Sequence, residues 1–540
     1  MPNKIKCISS NKFVLLLSLY YLLVFNIPFF YMVRRGLEAQ SDVNGLFVFS
    51  IPILLFLLFY FLFTIFSVKY VVKPFFIVLT LLSSLVFYSS MKYGVIFDSN
   101  MIQNIAETTQ SEALSYFNVS AIFYFLLTGV LPCLLIYKVN ITYHSFFKTL
   151  IVKLSSLVVS FVAIVIILGC FYQNYAAFGR NNDNLKRLII PSYVVGSLVK
   201  YIDNRYFTKP IPYQTLGTDA VVVNAKEKKP NVIVMVLGET ARAKNDAYFG
   251  YDRVTNAFTK EFNLLAFQNT RSCGTATAIS VPCMFSHLNR TDYNLAKAQS
   301  QDTILDVLSY ADIDVQWFDN DSGCKGVCNK VKHKMITRQD FPKACTTASC
   351  FDEALLAPLS QALLEVKQQN TLIVLHLMGS HGPTYYLRYP ERFRQFIPDC
   401  QRSDIQNCSQ QELTNTYDNT LLYTDYILSK VIQELDKYRS DFDTGMIYMS
   451  DHGESLGEKG LYLHGAPYSI APDEQTHIPF LSWFSDTFYQ QNGLDKSCLQ
   501  DVAKKGGFSH DNVFDSLLGI FNVKTKEYHA KQDIFSQCRA

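Results

Sequence analysis

Three short apolar segments in the second half of this 540-residue chain each end in polar side chains able to do chemistry. Val232–Leu237 runs into Gly238-Glu239-Thr240, Leu372–Leu377 into Met378-Gly379-Ser380-His381-Gly382, and Met446–Met449 into Ser450-Asp451-His452-Gly453. In an open parallel sheet the site lies beyond the carboxyl ends of the strands. Glu239, His381, Asp451 and His452 are therefore expected to converge, although they lie far apart in sequence. Glu, Asp and His make a mixed oxygen and nitrogen ligand set that suits zinc and several other divalent metals. One such turn is an ordinary polar loop; three in the same structural position are a site. A nucleophile comes from Ser272-Cys273-Gly274-Thr275-Ala276-Thr277-Ala278-Ile279-Ser280-Val281-Pro282-Cys283. Small hydroxyl residues stand there before an apolar run that opens a helix, and a helix N-terminus offers free N–H groups to a phosphate. A hydroxyl whose pKa is lowered by a metal is an activated nucleophile. Thr275, Thr277 and Ser280 are all candidates on the residues alone.

The elements that hold these groups are those of an α/β domain. From residue 230 onward, buried-type strands alternate with helical patterns, which predicts a mainly parallel sheet flanked by helices. Of the 13 cysteines, those after residue 270 fall as close neighbours: Cys273 and Cys283, Cys324 and Cys328, Cys345 and Cys350, Cys400 and Cys408, with Cys498 and Cys538 as a fifth pair. No two pairs make the CxxC…CxxC frame of a structural zinc site, so local disulfides in an oxidising compartment are expected.

The first third has a different composition. Apolar runs near 13–33, 46–67, 74–91, 119–138 and 154–174 approach the roughly 20 residues that cross a bilayer. Lys4, Lys6, Lys12, Lys69, Lys73, Lys138, Lys148 and Lys153 fall on one side of these runs, against Arg34, Arg35 and Lys92 on the other. That excess puts the N-terminus in the cytoplasm and the catalytic part outside it. The polar loop 92–118 carries Asn104, Thr108 and Glu112 at steps of four, one face of a helix if the loop is helical. The expected organisation is a transmembrane domain at 1–174, bridging helices and linker at 175–229, and a catalytic domain at 230–540. A net charge of +3 without a long basic cluster argues against nucleic acid.

With these residues assembled, the chain resembles the lipid A phosphoethanolamine transferases, which include the mobile colistin-resistance enzymes and belong to the alkaline phosphatase superfamily. The resemblance rests on GETAR at 238–242, SCGTATAISVPCMFS at 272–286, DNDSGCKGVC at 319–328, MGSHGP at 378–383 and SDHGESLGE at 450–458. It implies a five-helix membrane domain plus an alkaline-phosphatase-like (sulfatase-like) catalytic domain, in the bacterial inner membrane and facing the periplasm. It implies Thr277 as nucleophile, and Glu239, Thr277, Asp451 and His452 as ligands of one tightly bound Zn2+. His381 and His464 match histidines beside the phosphoryl group or a second metal. Ser322 and Lys325 match phosphate-contacting positions, and Asn104, Thr108 and Glu112 a lipid-side strip. The implied partners are phosphatidylethanolamine as donor and lipid A as acceptor, with the enzyme a monomer and polymyxin resistance the outcome. Core heptose, Kdo or a phosphoglycerol reaction are the alternatives on the same fold. The chain departs from the family after GETAR, where Ala243-Lys244-Asn245-Asp246 replaces a stretch that often holds an acidic residue and a histidine.

Overall fold

The computed structural model describes residues 7–38, 44–116, 118–207, 209, 211–223, 229–346 and 349–539, except the side chains at 111, 112, 115 and 183. The chain forms two compact units: residues 1–99 with 117–200, and residues 100–116 with 201–540.

The first unit is helical. Gly45–Phe66, Val72–Tyr93, Val119–Lys138 and Phe146–Cys170 are each long and apolar enough to cross a membrane, and Ser10–Phe25 with Ile27–Glu38, bent by 59° at the break, counts as a fifth when the pair is taken as one span. The bend falls at Asn26-Ile27-Pro28, where proline lacks the N–H that would continue the helix. Asn26 is fully buried there. Its amide nitrogen donates to the carbonyls of Tyr21 (2.9 Å) and Ile190 (2.7 Å), and its oxygen accepts from the Ile190 N–H (3.2 Å). A side-chain amide thus satisfies the Tyr21 carbonyl beside the bend and ties it to the backbone of Ile190. The last span begins at Phe146, earlier than the sequence suggested. Lys148 and Lys153, read as loop charges, are helical. Lys153 reaches with its ammonium to the Ser67 carbonyl, which keeps the charge at a polar partner while the stem lies along the helix.

The second unit is built on a seven-stranded sheet. In chain order its strands are β1 (Asn231–Gly238), β2 (Leu265–Ala266), β3 (Asp314–Asp319), β4 (Lys332–Met335), β5 (Thr371–His376), β6 (Asp443–Ser450) and β7 (Phe480–Phe484), and their spatial order is β2-β7-β6-β1-β5-β3-β4. The pairs from β6 across to β4 are parallel, and β7 and β2 are antiparallel additions at one edge. Every residue of β1, β5 and β6 is buried, as expected of central parallel strands covered on both faces. The three chemistry-bearing turns leave these neighbouring strands on the same side. Five disulfides fasten the loops around the sheet: Cys273–Cys283, Cys324–Cys328, Cys345–Cys350, Cys400–Cys408 and Cys498–Cys538.

The segment 100–116 belongs to this unit. It forms two helices, Ser99–Glu107 and Gln110–Ser115, rather than one. The break at Thr108 follows from its hydroxyl donating to the Asn104 carbonyl at 2.7 Å, a local bond that competes with the helix ladder. Asn104 and Thr108 therefore share one turn, without a single helical face extending onward, and the expectation for Glu112 lies outside the described residues.

Candidate functional site

Thr277 is the first residue of helix Thr277–Met284. Ile279 and Ser280 both donate to the Ala276 carbonyl, while the N–H groups of Thr277 and Ala278 have no intrahelical partner at this open end. The Thr277 side chain is 5% exposed. Its Oγ1 donates to Glu239 Oε2 at 3.1 Å and lies 3.4 Å from His452 Nε2. His452 Nε2 in turn stands 3.2 Å from Asp451 Oδ2 and 3.5 Å from Glu239 Oε1. The His452 ring donates through Nδ1 to the Gly453 carbonyl (3.0 Å), which leaves the Nε2 lone pair facing this cluster. Of the three hydroxyls left open by the sequence, Thr277 alone meets side-chain atoms of this cluster. Thr275 Oγ1 donates to the Ala466 carbonyl at 2.6 Å, and Ser280 Oγ donates to the Asp451 carbonyl.

Local geometry makes the convergence possible. Thr240, just after Glu239, sits at φ +52, a strained region for a β-branched residue, and is held by its N–H to Asp451 Oδ1 (3.2 Å) and by Tyr417 Oη donating to its carbonyl (2.7 Å). Gly379 has φ +50, and a Cβ there would lie 2.6 Å from the Glu239 carbonyl oxygen. Glycine is what lets the loop after β5 close on the loop after β1. Buried His510 joins two further loops: its Nδ1 accepts from the Cys273 N–H (3.0 Å), so its Nε2 carries the hydrogen given to the Ser450 carbonyl (2.9 Å). Burial lowers its pKa to about 4, and it stays a neutral strut.

Electrostatics mark the site as built for a cation. Glu239 is pushed well above the usual carboxylate range by burial and by Asp451 and Asp321, and burial also raises Asp451. His452 is pushed well below the imidazole range by burial and by His464. Glu239 Oε1 and Asp451 Oδ2 are buried without a hydrogen-bond partner. Buried oxygens in that state are costly unless something positive meets them. Glu239, Asp451 and His452 can each present a ligand atom within 4.8 Å of the others, and so can His452, Glu454 and His464.

His464 Nδ1 bonds Glu454 Oε2 at 2.9 Å, and the other Glu454 oxygen accepts from Tyr385. The His464 ring centroid lies 4.5 Å from that of His452 and 5.7 Å from that of His381. Arg388 Nε holds the His381 carbonyl at 2.7 Å. His381, Ser322, Thr109, Met378, Leu387 and Arg388 are among the residues lining a cavity of about 580 Å³. Ser322 Oγ donates to Asp321 (2.6 Å), and Lys325 Nζ donates to the Ser322 carbonyl (3.2 Å). The departure after GETAR is scaffold: Lys244 pairs with Glu474 (2.6 Å), Asn245 Nδ2 donates to Asp418 (2.6 Å), and burial raises Asp246 to about 6. Sequence reasoning passed over Asp319, Asp321, His376, Glu454 and His510. His376 was hidden inside an apolar strand, although a histidine in a fully buried strand is itself a signal.

Comparison with known proteins agrees with this arrangement. Residues 230–523 match the Sulfatase family model, and residues 55–206 match that described as Phosphoethanolamine transferase EptA/EptB. Phosphoethanolamine transferase EptA of Escherichia coli K12 is 39% identical over 530 residues, covering 97% of this chain and 96% of that protein. Phosphatidylethanolamine transferase Mcr-1 of Escherichia coli is 34% identical, covering 95% and 96%. The solved integral membrane protein lipooligosaccharide phosphoethanolamine transferase A from Neisseria meningitidis superposes with a TM-score of 0.96 at 38% identity, covering 99% of both chains. A membrane helical domain joined to a sulfatase-type α/β domain is thus the fold class of this chain.

Proposed function

This chain belongs to the phosphoethanolamine transferase EptA/EptB family, and from that membership we propose that it moves phosphoethanolamine from phosphatidylethanolamine to a phosphate of lipid A through a covalent intermediate on Thr277. It is a transferase and an integral membrane protein with a periplasmic catalytic domain. The observation that carries the proposal is the placement of Thr277 Oγ1 at an open helix N-terminus, against Glu239 and His452.

The orphaned Glu239 and Asp451 oxygens, the threonine hydroxyl and the inward-facing His452 nitrogen fit a zinc ligand set. Zn2+ held by Glu239, Thr277, Asp451 and His452 would lower the hydroxyl pKa and offset charge on the phosphoryl oxygens. Thr277 Oγ1 attacks the head-group phosphorus; the Oγ1–P bond forms and the bond from phosphorus to the diacylglycerol oxygen breaks. The threonine proton lies on the line to Glu239 Oε2, and His381 or His464 supplies one to the leaving oxygen. A lipid A phosphate oxygen then attacks the same phosphorus, the Oγ1–P bond breaks, and Thr277 regains its proton. The cavity beside His381 offers the donor apolar walls at Leu114, Met335 and Leu387 and the exposed cation Arg338 at its edge. Ser322 lines the cavity and Lys325 bonds its carbonyl, and in this reading they and Asn104 and Thr108, beside the lining residue Thr109, contact the lipid substrates. The ethanolamine added to lipid A brings positive charge to the cell surface and so weakens the binding of cationic polymyxins.

The test is mass spectrometry of lipid A from a Gram-negative host expressing the chain, beside Thr277→Ala. A phosphoethanolamine increment seen only with the intact chain supports the proposal. Unmodified lipid A, with folded protein in the membrane, directs the search to core heptose, Kdo or phosphoglycerol acceptors.

A further inference from the structure

Beside the Thr277 cluster lies another set of ligand-type side chains, of which the transfer uses only Glu239. Glu239, Asp321 and His376 each present a ligand atom within 4.8 Å of the other two. They come from three adjacent strands: Glu239 follows β1, His376 closes β5, and Asp321 follows β3. The His376 side chain is fully buried and that of Asp321 is 5% exposed.

The hydrogen bonds around His376 fix which of its nitrogens can act. Nδ1 bonds Asp319 Oδ2 at 2.9 Å. Asp319 is crowded with donors: the same oxygen accepts from Trp317 Nε1 (2.8 Å), and its Oδ1 accepts from the N–H groups of Asp321 (3.0 Å) and Gly323 (3.1 Å). It can only accept, so Nδ1 carries the hydrogen. Nε2, buried and without a hydrogen-bond partner, faces Asp321 Oδ2 at 4.0 Å. That gap is too long for a hydrogen bond, yet short enough for both atoms to reach one ion at about 2.0–2.2 Å each. An imidazole with one nitrogen held by a carboxylate and the other open toward acidic oxygens is the arrangement of a metal-ligating histidine.

We propose that Glu239, Asp321 and His376 form a further divalent-cation site of the zinc type, with Glu239 shared between it and the Thr277 site. The ion offsets the charge of Asp321 and Glu239 in a buried niche and helps fix the Glu239 carboxylate. Glu239 is the one residue this site has in common with the proposed transfer chemistry.

The experiment uses the full chain in detergent, stripped with a chelator and dialysed to equilibrium against Zn2+, with bound metal counted by elemental mass spectrometry. His376→Gln and Asp321→Asn are each expected to bind one equivalent fewer than the unaltered protein, while Thr277→Ala, although inactive, keeps this ion. Equal counts in folded His376→Gln and Asp321→Asn would overturn the site. Should the variants fail to fold, diffraction at the zinc edge from crystals of the unaltered protein decides. A peak bonded to His376 Nε2 is expected; a peak at His452 with none at His376 refutes the proposal. A chain that modified no lipid A would leave these counts unchanged, so failure of the transfer proposal and failure of this one are separable.

Discussion

Removing disulfides one at a time separates the stability of the catalytic unit from the placement of its nucleophile. Cys273–Cys283 has a sequence separation of 10 and brackets Thr277, whereas Cys498–Cys538 has a separation of 40 and ties helix Lys496–Lys505 to the turn at Ser536–Cys538. Loop-closure entropy of the unfolded chain assigns about 2.7 kcal/mol to the first bridge and about 3.9 kcal/mol to the second. Cys498→Ala with Cys538→Ala is therefore expected to cost more stability than Cys273→Ala with Cys283→Ala. Activity should follow the opposite order. The short bridge holds the loop that delivers Thr277 Oγ1 to Glu239, and a displacement of about 1 Å at a reacting group costs on the order of 100-fold in rate. Both tryptophans, Trp317 and Trp483, lie in the catalytic unit, so fluorescence during urea unfolding reports that unit alone. Transfer is then assayed where each variant is folded. Equal loss of transfer in the two folded variants, or full transfer without Cys273–Cys283, would refute the reasoning.

Further outcomes follow from the same structure. Stripping the metal should lower the unfolding midpoint and Zn2+ should restore it, more strongly at pH 8 than at pH 5. Glu239 and Asp451 have folded pKa values above their unfolded ones, so the protons that stabilise the metal-free fold are lost as pH rises, and the cation takes their place. Asp425, held up at about 7 by burial, gives stability that is full below its unfolded value of 3.8 and is lost as pH rises through about 7; Asp425→Asn should flatten that part of the melting-temperature profile. Gly379→Ala should cost about 1–2 kcal/mol from its positive φ alone. It should also displace Glu239, seen as weaker zinc binding on titration.

The legibility of the fold differed by element. The ends of β1, β5 and β6 could be read because each apolar run changes abruptly to Glu, His or Asp, and that change marks where a parallel strand leaves the core. The membrane spans could be read from run length alone. The start of the last span could not, because Lys148 and Lys153 look like loop residues until the Ser67 carbonyl is seen to accept from Lys153. Nor could the grouping of 100–116 with the catalytic unit, which is a matter of tertiary packing and has no local pattern. His376 was overlooked because inside Thr371–His376 it counts as one more strand position. Its importance depends on Asp319 and Asp321, which arrive from another strand. Asp319-Asn320-Asp321 directly after β3 has the same strand-to-acid signature as the other turns, and applying that rule a fourth time would have found it.

The central claim is that Thr277 carries the phosphoethanolamine group. Purified full-length protein incubated with phosphatidylethanolamine in the absence of acceptor should release diacylglycerol and gain one phosphoethanolamine mass, located by peptide mapping to Thr277 and removed when lipid A is added. Modification of lipid A by a chain whose Thr277 peptide never gains that mass would contradict the account.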